Sequence, residues 1–68
     1  MTTVQSSNIA SVGYDPLTCT LVIAFHSGGV YAYFGVPWSV YRGLMQAESH
    51  GRYFHAHIKD CYDYQRAG

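Results

Sequence analysis

Apolar and polar residues alternate in steps of two over the first half of the chain and recur in steps of three and four beyond Pro37. The first pattern is that of half-buried strands, the second that of amphipathic helices. Ser6 to Tyr14 reads as a first strand, with Ala10, Val12 and Tyr14 on one face. Ile9 falls on the opposite face, which indicates a bulge or a later start. Asp15-Pro16 ends the strand, because proline sets a turn and keeps its predecessor extended. Thr18 to His26 is the plainest strand, β-branched, aromatic and free of breakers. Its heavier face carries Leu21, Ile23 and Phe25, its lighter face Val22, Ala24 and His26. Ser27-Gly28-Gly29 makes a tight hairpin turn in which glycine supplies positive φ. Val30 to Phe34 returns antiparallel as a third strand, and strands this close in sequence form a meander.

Val36-Pro37 closes the sheet and opens a helix, since proline's missing N–H is not needed in the first turn. From Trp38 to Glu48 the apolar stripe is Val40, Leu44 and Ala47, with Tyr41 and Met45 beside it. Gly43 weakens this helix by about 1 kcal/mol relative to alanine. Ser49-His50-Gly51 breaks it, with Gly51 suited to the cap. A second short helix runs from about Arg52, with Phe54, Ile58 and Cys61 on one face and Tyr53, His57 and Tyr62 alongside. Met1 to Gln5 is expected to be loose and Tyr64 to Gly68 to fray. The expected fold is α+β, in the order β-β-β-α-α: a three-stranded antiparallel β-meander followed by two short helices packed on one face. One domain fills residues 1–68, with its ordered core over about 4–62. The second face of the sheet is open to solvent or paired with another chain, so self-association through it stands as an expectation.

Composition narrows the function. With 68 residues the core is small, because such a chain buries only about 60% of its unfolded surface. Aromatic residues make up 16%, which excludes a disordered chain. Charged residues are only 12%, against roughly 25% in ordinary domains, and the formal net charge is zero. That balance tells against a strong, unspecific nucleic-acid binder, whose affinity comes from neutralised phosphates. Asp15 is the only charge up to Val40, so any basic patch must come from Arg42, Arg52, Lys59 and Arg66. No run approaches the roughly 20 apolar residues of a membrane span, and Met1 to Gln5 lacks the features of a signal peptide. The expected setting is the cytoplasm, with Cys19 and Cys61 as free thiols packed in the core rather than a disulfide.

Several short stretches, in this order, point to a family: Ser6-Ser7-Asn8-Ile9, Val12-Gly13-Tyr14-Asp15, Gly29-Val30-Tyr31-Ala32-Tyr33, Val36-Pro37, Val40-Tyr41, Leu44, and Gly51-x-Tyr53-Phe54 followed by Ile58. Together they resemble the KTSC domain, a module of about this length marked by a central Tyr-x-Tyr. The resemblance runs from Val4 to Tyr62. It implies a domain found at the C-terminus of some lysyl-tRNA synthetases and as a free-standing bacterial or phage protein. It implies RNA binding by way of that fusion and carries no established activity. One departure stands out: after Tyr53-Phe54 the family pattern has Asn where this chain has His55.

Catalysis finds no constellation. A nucleophile needs a base in reach and a third group to orient it, and no motif brings Cys19, Cys61 or a serine to His26, His50, His55 or His57 in that way. The chain is therefore expected not to be an enzyme. His55 and His57, two apart on a helix, point in nearly opposite directions and match no zinc spacing, so no metal and no cofactor are expected.

Binding is left. Tyr31 and Tyr33 share one face of the third strand, and small sheets hold single strands by stacking bases on such rings. In that reading Tyr31 and Tyr33 stack bases while Arg42, Arg52 and Lys59 meet phosphates of RNA or another single-stranded nucleic acid. The competing arrangement packs the two rings under the helices, and the balance leans to it; nucleic-acid binding would then lose its platform. The alternative function is a protein–protein interaction module, with Tyr31, Tyr33 and Trp38 at the interface, since aromatic residues are enriched and charge depleted there.

Overall fold

The alternating segments form strands, and two further short strands flank them. The structure is a computed structural model describing residues 1–68. In chain order it contains β1 (Thr2–Thr3), β2 (Ile9–Asp15), β3 (Thr20–Phe25), β4 (Val30–Tyr33), α1 (Trp38–Gln46), α2 (His50–His57) and β5 (Tyr64–Arg66). The strands make one sheet in the order β1-β2-β3-β4-β5, each neighbouring pair antiparallel. The fold is α+β as expected, but the sheet has five strands rather than three. Both termini expected to be loose are paired: Thr2 and Thr3 oppose Val12 and Ser11, and Tyr64 to Arg66 oppose Tyr33 to Tyr31. Backbone pairing drives this. Without β5 the outer edge of β4 would leave a row of N–H and C=O groups without partners.

Register decides which face is buried. Leu21 opposes Tyr33 and Ile23 opposes Tyr31, so the tyrosines lie on the helix-covered side with the heavier face of β3. A bulge between Ile9 and Ser11 resolves the position of Ile9. The extra residue, Ala10, lets Ile9 and Val12, three apart, both enter the core. Leu44, Phe54 and Ile58 from the helical half close that core, with Val36 beneath the β4–α1 connection. The opposite face carries Ser11, Gly13, Val22, Ala24, Val30 and Ala32, uncharged across its centre, with Asp15 at the end of β2.

Between the helices the chain departs from expectation. The expected break falls at residues 47–49, and its last residue, Ser49, caps α2: its Oγ accepts a hydrogen bond from the Arg52 N–H at 3.2 Å. Gly51 is thus inside α2 and not at a cap. His50 ties the corner, its Nδ1 lying 2.7 Å from the Leu44 carbonyl; a carbonyl only accepts, so this nitrogen carries the proton. Ile58 is buried, but Cys61 is exposed, because α2 ends at His57 and the chain turns through Asp60 at a φ of 64°. Cys19 is half-buried, so neither thiol is a fully buried core residue. No helix is long and apolar enough to cross a membrane.

Candidate functional site

Tyr31 and Tyr33 do not form an open platform. Tyr33 is 5% exposed, and its ring meets Phe54 edge-on at 5.5 Å. Burial pushes its phenol up to about 12, with Tyr64, Tyr31 and Asp60 adding to the effect. Tyr31 is half-buried. It meets Phe25 at 5.9 Å and Tyr64 at 5.9 Å, and the Arg66 guanidinium lies over its ring, 5.9 Å from the centroid. These rings wall a cavity of about 320 Å³, whose remaining lining is Asn8, His55, Lys59 and Asp60. Its walls come from five parts of the chain: the segment before β2, β3, β4, β5, and α2 with the turn that follows.

A second cavity, of about 580 Å³, adjoins it. Asn8 and His55 line both. The second cavity has no apolar residue in its wall; the segment 5–8 forms one side and residues 48–52 the other. The first side is held in place. The Ser6 hydroxyl accepts from the backbone N–H groups of Asn8 and Ile9, His26 donates from its backbone to the Asn8 carbonyl at 2.9 Å, and His26 Nε2 stands 3.0 Å from the Ser6 carbonyl. The second side approaches closely because Gly51 has no side chain: a methyl there would stand 2.7 Å from Asn8 Oδ1.

The residues singled out in the sequence separate accordingly. Tyr31, Tyr33 and Lys59 meet in the aromatic cavity, and Arg52 lines the polar one. Arg42 is exposed on α1 and lines neither. Trp38, 56% exposed, belongs to another patch: Tyr14 stacks on Tyr41 at 4.7 Å and 8°, with Trp38 tilted against both. The Tyr14 hydroxyl donates to the Val36 carbonyl at 2.6 Å, and its phenol is raised by burial and by Cys19. His55 and His57 diverge, for His57 packs on Tyr53 with ring centroids 4.4 Å apart. Asn8, Phe25, Phe54, Asp60 and Tyr64 complete the aromatic cavity without having been singled out as site residues. Phe25 reads as core and Tyr64 as tail, and only the pairing of β5 brings them together. His55 carried a signal as the departure from the family pattern.

These features define a small α+β domain with a groove of one aromatic and one polar compartment. The model of the KTSC domain matches residues 5–62, and the chain belongs to that family. β1 and β5 lie outside the match. The chain is 41% identical to a KTSC domain protein of Yersinia pestis whose crystal structure superimposes with a TM-score of 0.95, covering 97% of this chain and 93% of that one. It is 44% identical over 55 residues to a protein of Stutzerimonas stutzeri strain A1501, covering 81% and 78% of the two chains. It is also 42% identical over 62 residues to a lysine–tRNA ligase of Nostoc sp. strain PCC 7120; that match takes in 91% of this chain and 11% of the ligase. The chain thus spans about a tenth of the length of that ligase.

Proposed function

We propose that this domain is a non-enzymatic module that binds single-stranded nucleic acid in the cytoplasm, with RNA as the leading partner. One observation carries the reading: a cavity walled by Phe25, Tyr31, Tyr33, Phe54 and Tyr64, with Lys59 and His55 in its lining. A flat ring finds aromatic faces and edges there, and the ammonium of Lys59 meets the phosphate that follows. The base enters between elements rather than lying on an open sheet. Tyr33 therefore shapes the floor, while Tyr31 and Tyr64 make contact. A relative named for a tRNA substrate, the lysine–tRNA ligase, supports an RNA partner. The neutral net charge implies modest affinity, carried by ring contacts of about 1–3 kcal/mol per base more than by phosphates.

The test is an NMR titration of labelled protein with a short single-stranded RNA at low and moderate salt. Shifts should centre on Tyr31, His55, Lys59 and Tyr64 and weaken as salt rises, and Arg42→Gln should behave as the parent. No shifts at high RNA concentration would overturn the reading.

A second reading has its own observation. The Tyr14–Tyr41–Trp38 patch, with Trp38 more than half exposed, fits a protein partner. Its binding would map to those residues and would respond little to salt.

A further inference from the structure

The polar cavity is the larger of the two, and its lining is unlike that of a base site. No hydrophobic side chain lines it. What the wall offers is hydroxyls from Ser7 and Ser49, a cation from Arg52, and a carboxylate from Glu48, the Ser6 hydroxyl being donated to Asn8 Oδ1 at 3.0 Å. That mixture suits a sugar phosphate. A phosphodiester has only acceptors, so it can use Arg52 and the serine hydroxyls but gives Glu48 nothing to accept. A ribose 2′-hydroxyl supplies the missing donor, and it is the group by which RNA differs from DNA at such a contact. A deoxyribose on the same path offers Glu48 no donor, so the exposed carboxylate keeps its water and the contact adds nothing.

We infer that the groove selects ribonucleotides. One base sits in the aromatic cavity with one of its flanking phosphates at Lys59, its ribose and other phosphate pass Asn8 and His55 into the polar cavity, Glu48 accepts from the 2′-hydroxyl, and Arg52 meets that second phosphate. This rests on the reading of the aromatic cavity as the base site. Asn8 and His55 border both cavities, so a strand crossing at those residues leaves one for the other. Gly51 lines the polar cavity beside Asn8, whose amide occupies the place a side chain there would take. The segment carrying Ser6 and Asn8 is fixed to His26, so the polar wall stands ready before a ligand arrives.

The experiment is fluorescence anisotropy with two labelled ten-nucleotide strands, identical in bases, uracil included, and differing only in the 2′-hydroxyl. The ribo strand should bind about tenfold more tightly, the worth of one hydrogen bond to a charged group. Glu48→Ala should remove that preference by lowering the affinity for RNA to that for the deoxy strand. Arg52→Gln should weaken both strands alike and reduce the salt slope by about one. Thermal melts of both variants confirm the fold, since Glu48 and Arg52 are exposed. Equal affinity for the two strands, or a loss in Glu48→Ala that falls on both equally, would overturn ribose selection and leave the base site standing. Failure of both strands to bind would overturn the base site as well.

Discussion

Replacing Gly43 by alanine tests the packing of the two helices, because two effects of known size oppose each other there. Gly43 lies in the middle of α1, where alanine would gain about 1 kcal/mol of helix propensity. The added methyl would stand 2.6 Å from Cζ of Tyr53 and closer still to its hydroxyl. Tyr53 is half-buried and backed by His57, so its ring yields only by leaving that stack or by parting the helices. Overpacking of this kind costs about 1–3 kcal/mol. At the middle of that range the propensity gain offsets half the strain. The net loss is then about 1 kcal/mol, or roughly 4–8 °C in melting temperature for a domain this small. Urea denaturation of four proteins measures it: the parent, Gly43→Ala, Tyr53→Ala and the double variant. With Tyr53 truncated the steric term vanishes, and Gly43→Ala should become stabilising by about 1 kcal/mol. If Gly43→Ala stabilises the parent by the same amount as it stabilises Tyr53→Ala, the close approach of α1 and α2 has no energetic consequence and the reasoning fails.

Two further outcomes follow from the core and the caps. A phenol is neutral when protonated, and the Tyr33 phenol is raised from 10.0 to about 12. Its contribution is therefore complete below pH 10 and lost as pH rises towards 12, where the unfolded chain ionises first. Urea midpoints at pH 8 and pH 11 should fall further apart for the parent than for Tyr33→Phe; equal falls would show that another group carries the alkaline loss. Ser49→Ala removes the α2 cap and should cost about 1 kcal/mol, while Ser49→Asn should restore most of it. A silent Ser49→Ala would mean that the helix start is held by the His50–Leu44 contact alone.

The middle of the fold was legible because its signals are local. β3 has strict alternation, the Gly28-Gly29 turn has the one residue type that accepts a φ of 106°, and Pro37 stands at the start of α1. Even the bulge showed, as Ile9 falling out of phase with Val12. The ends of the sheet were not legible. Tyr64-Gln65-Arg66 has no apolar alternation and all three residues are exposed; pairing with β4 makes it a strand, and that pairing is non-local. The start of α2 was misplaced for a related reason. Ser49-His50-Gly51 contains a glycine and reads as a break, yet the serine caps the helix and the glycine makes room for Asn8. The candidate site was half legible. Tyr31, Tyr33, Arg52 and Lys59 stood out by type, but only the register with Leu21 and Ile23 turns the two rings inward. The joining of two cavities at Asn8 and His55 depends on segments more than forty residues apart.

The bulge at Ala10 has a use beyond admitting Ile9 to the interior. Upstream of it the chain turns directly into Ser6, Ser7 and Asn8, and downstream it runs in step with β3. Ala10 thus sets the direction in which the loop of residues 6–8 leaves a rigid ladder. Excising that one alanine would leave Ile9 opposite Phe25 and Ser11 opposite Ala24 in an unbroken ladder, with Ile9 two positions from Val12 and still facing inward. The strand would lose the added twist of a bulge, and the loop would depart from the sheet at a new angle. A single-residue deletion here would therefore keep the interior filled while re-aiming the chain beside it, and so separate how tightly the domain holds together from what it can hold.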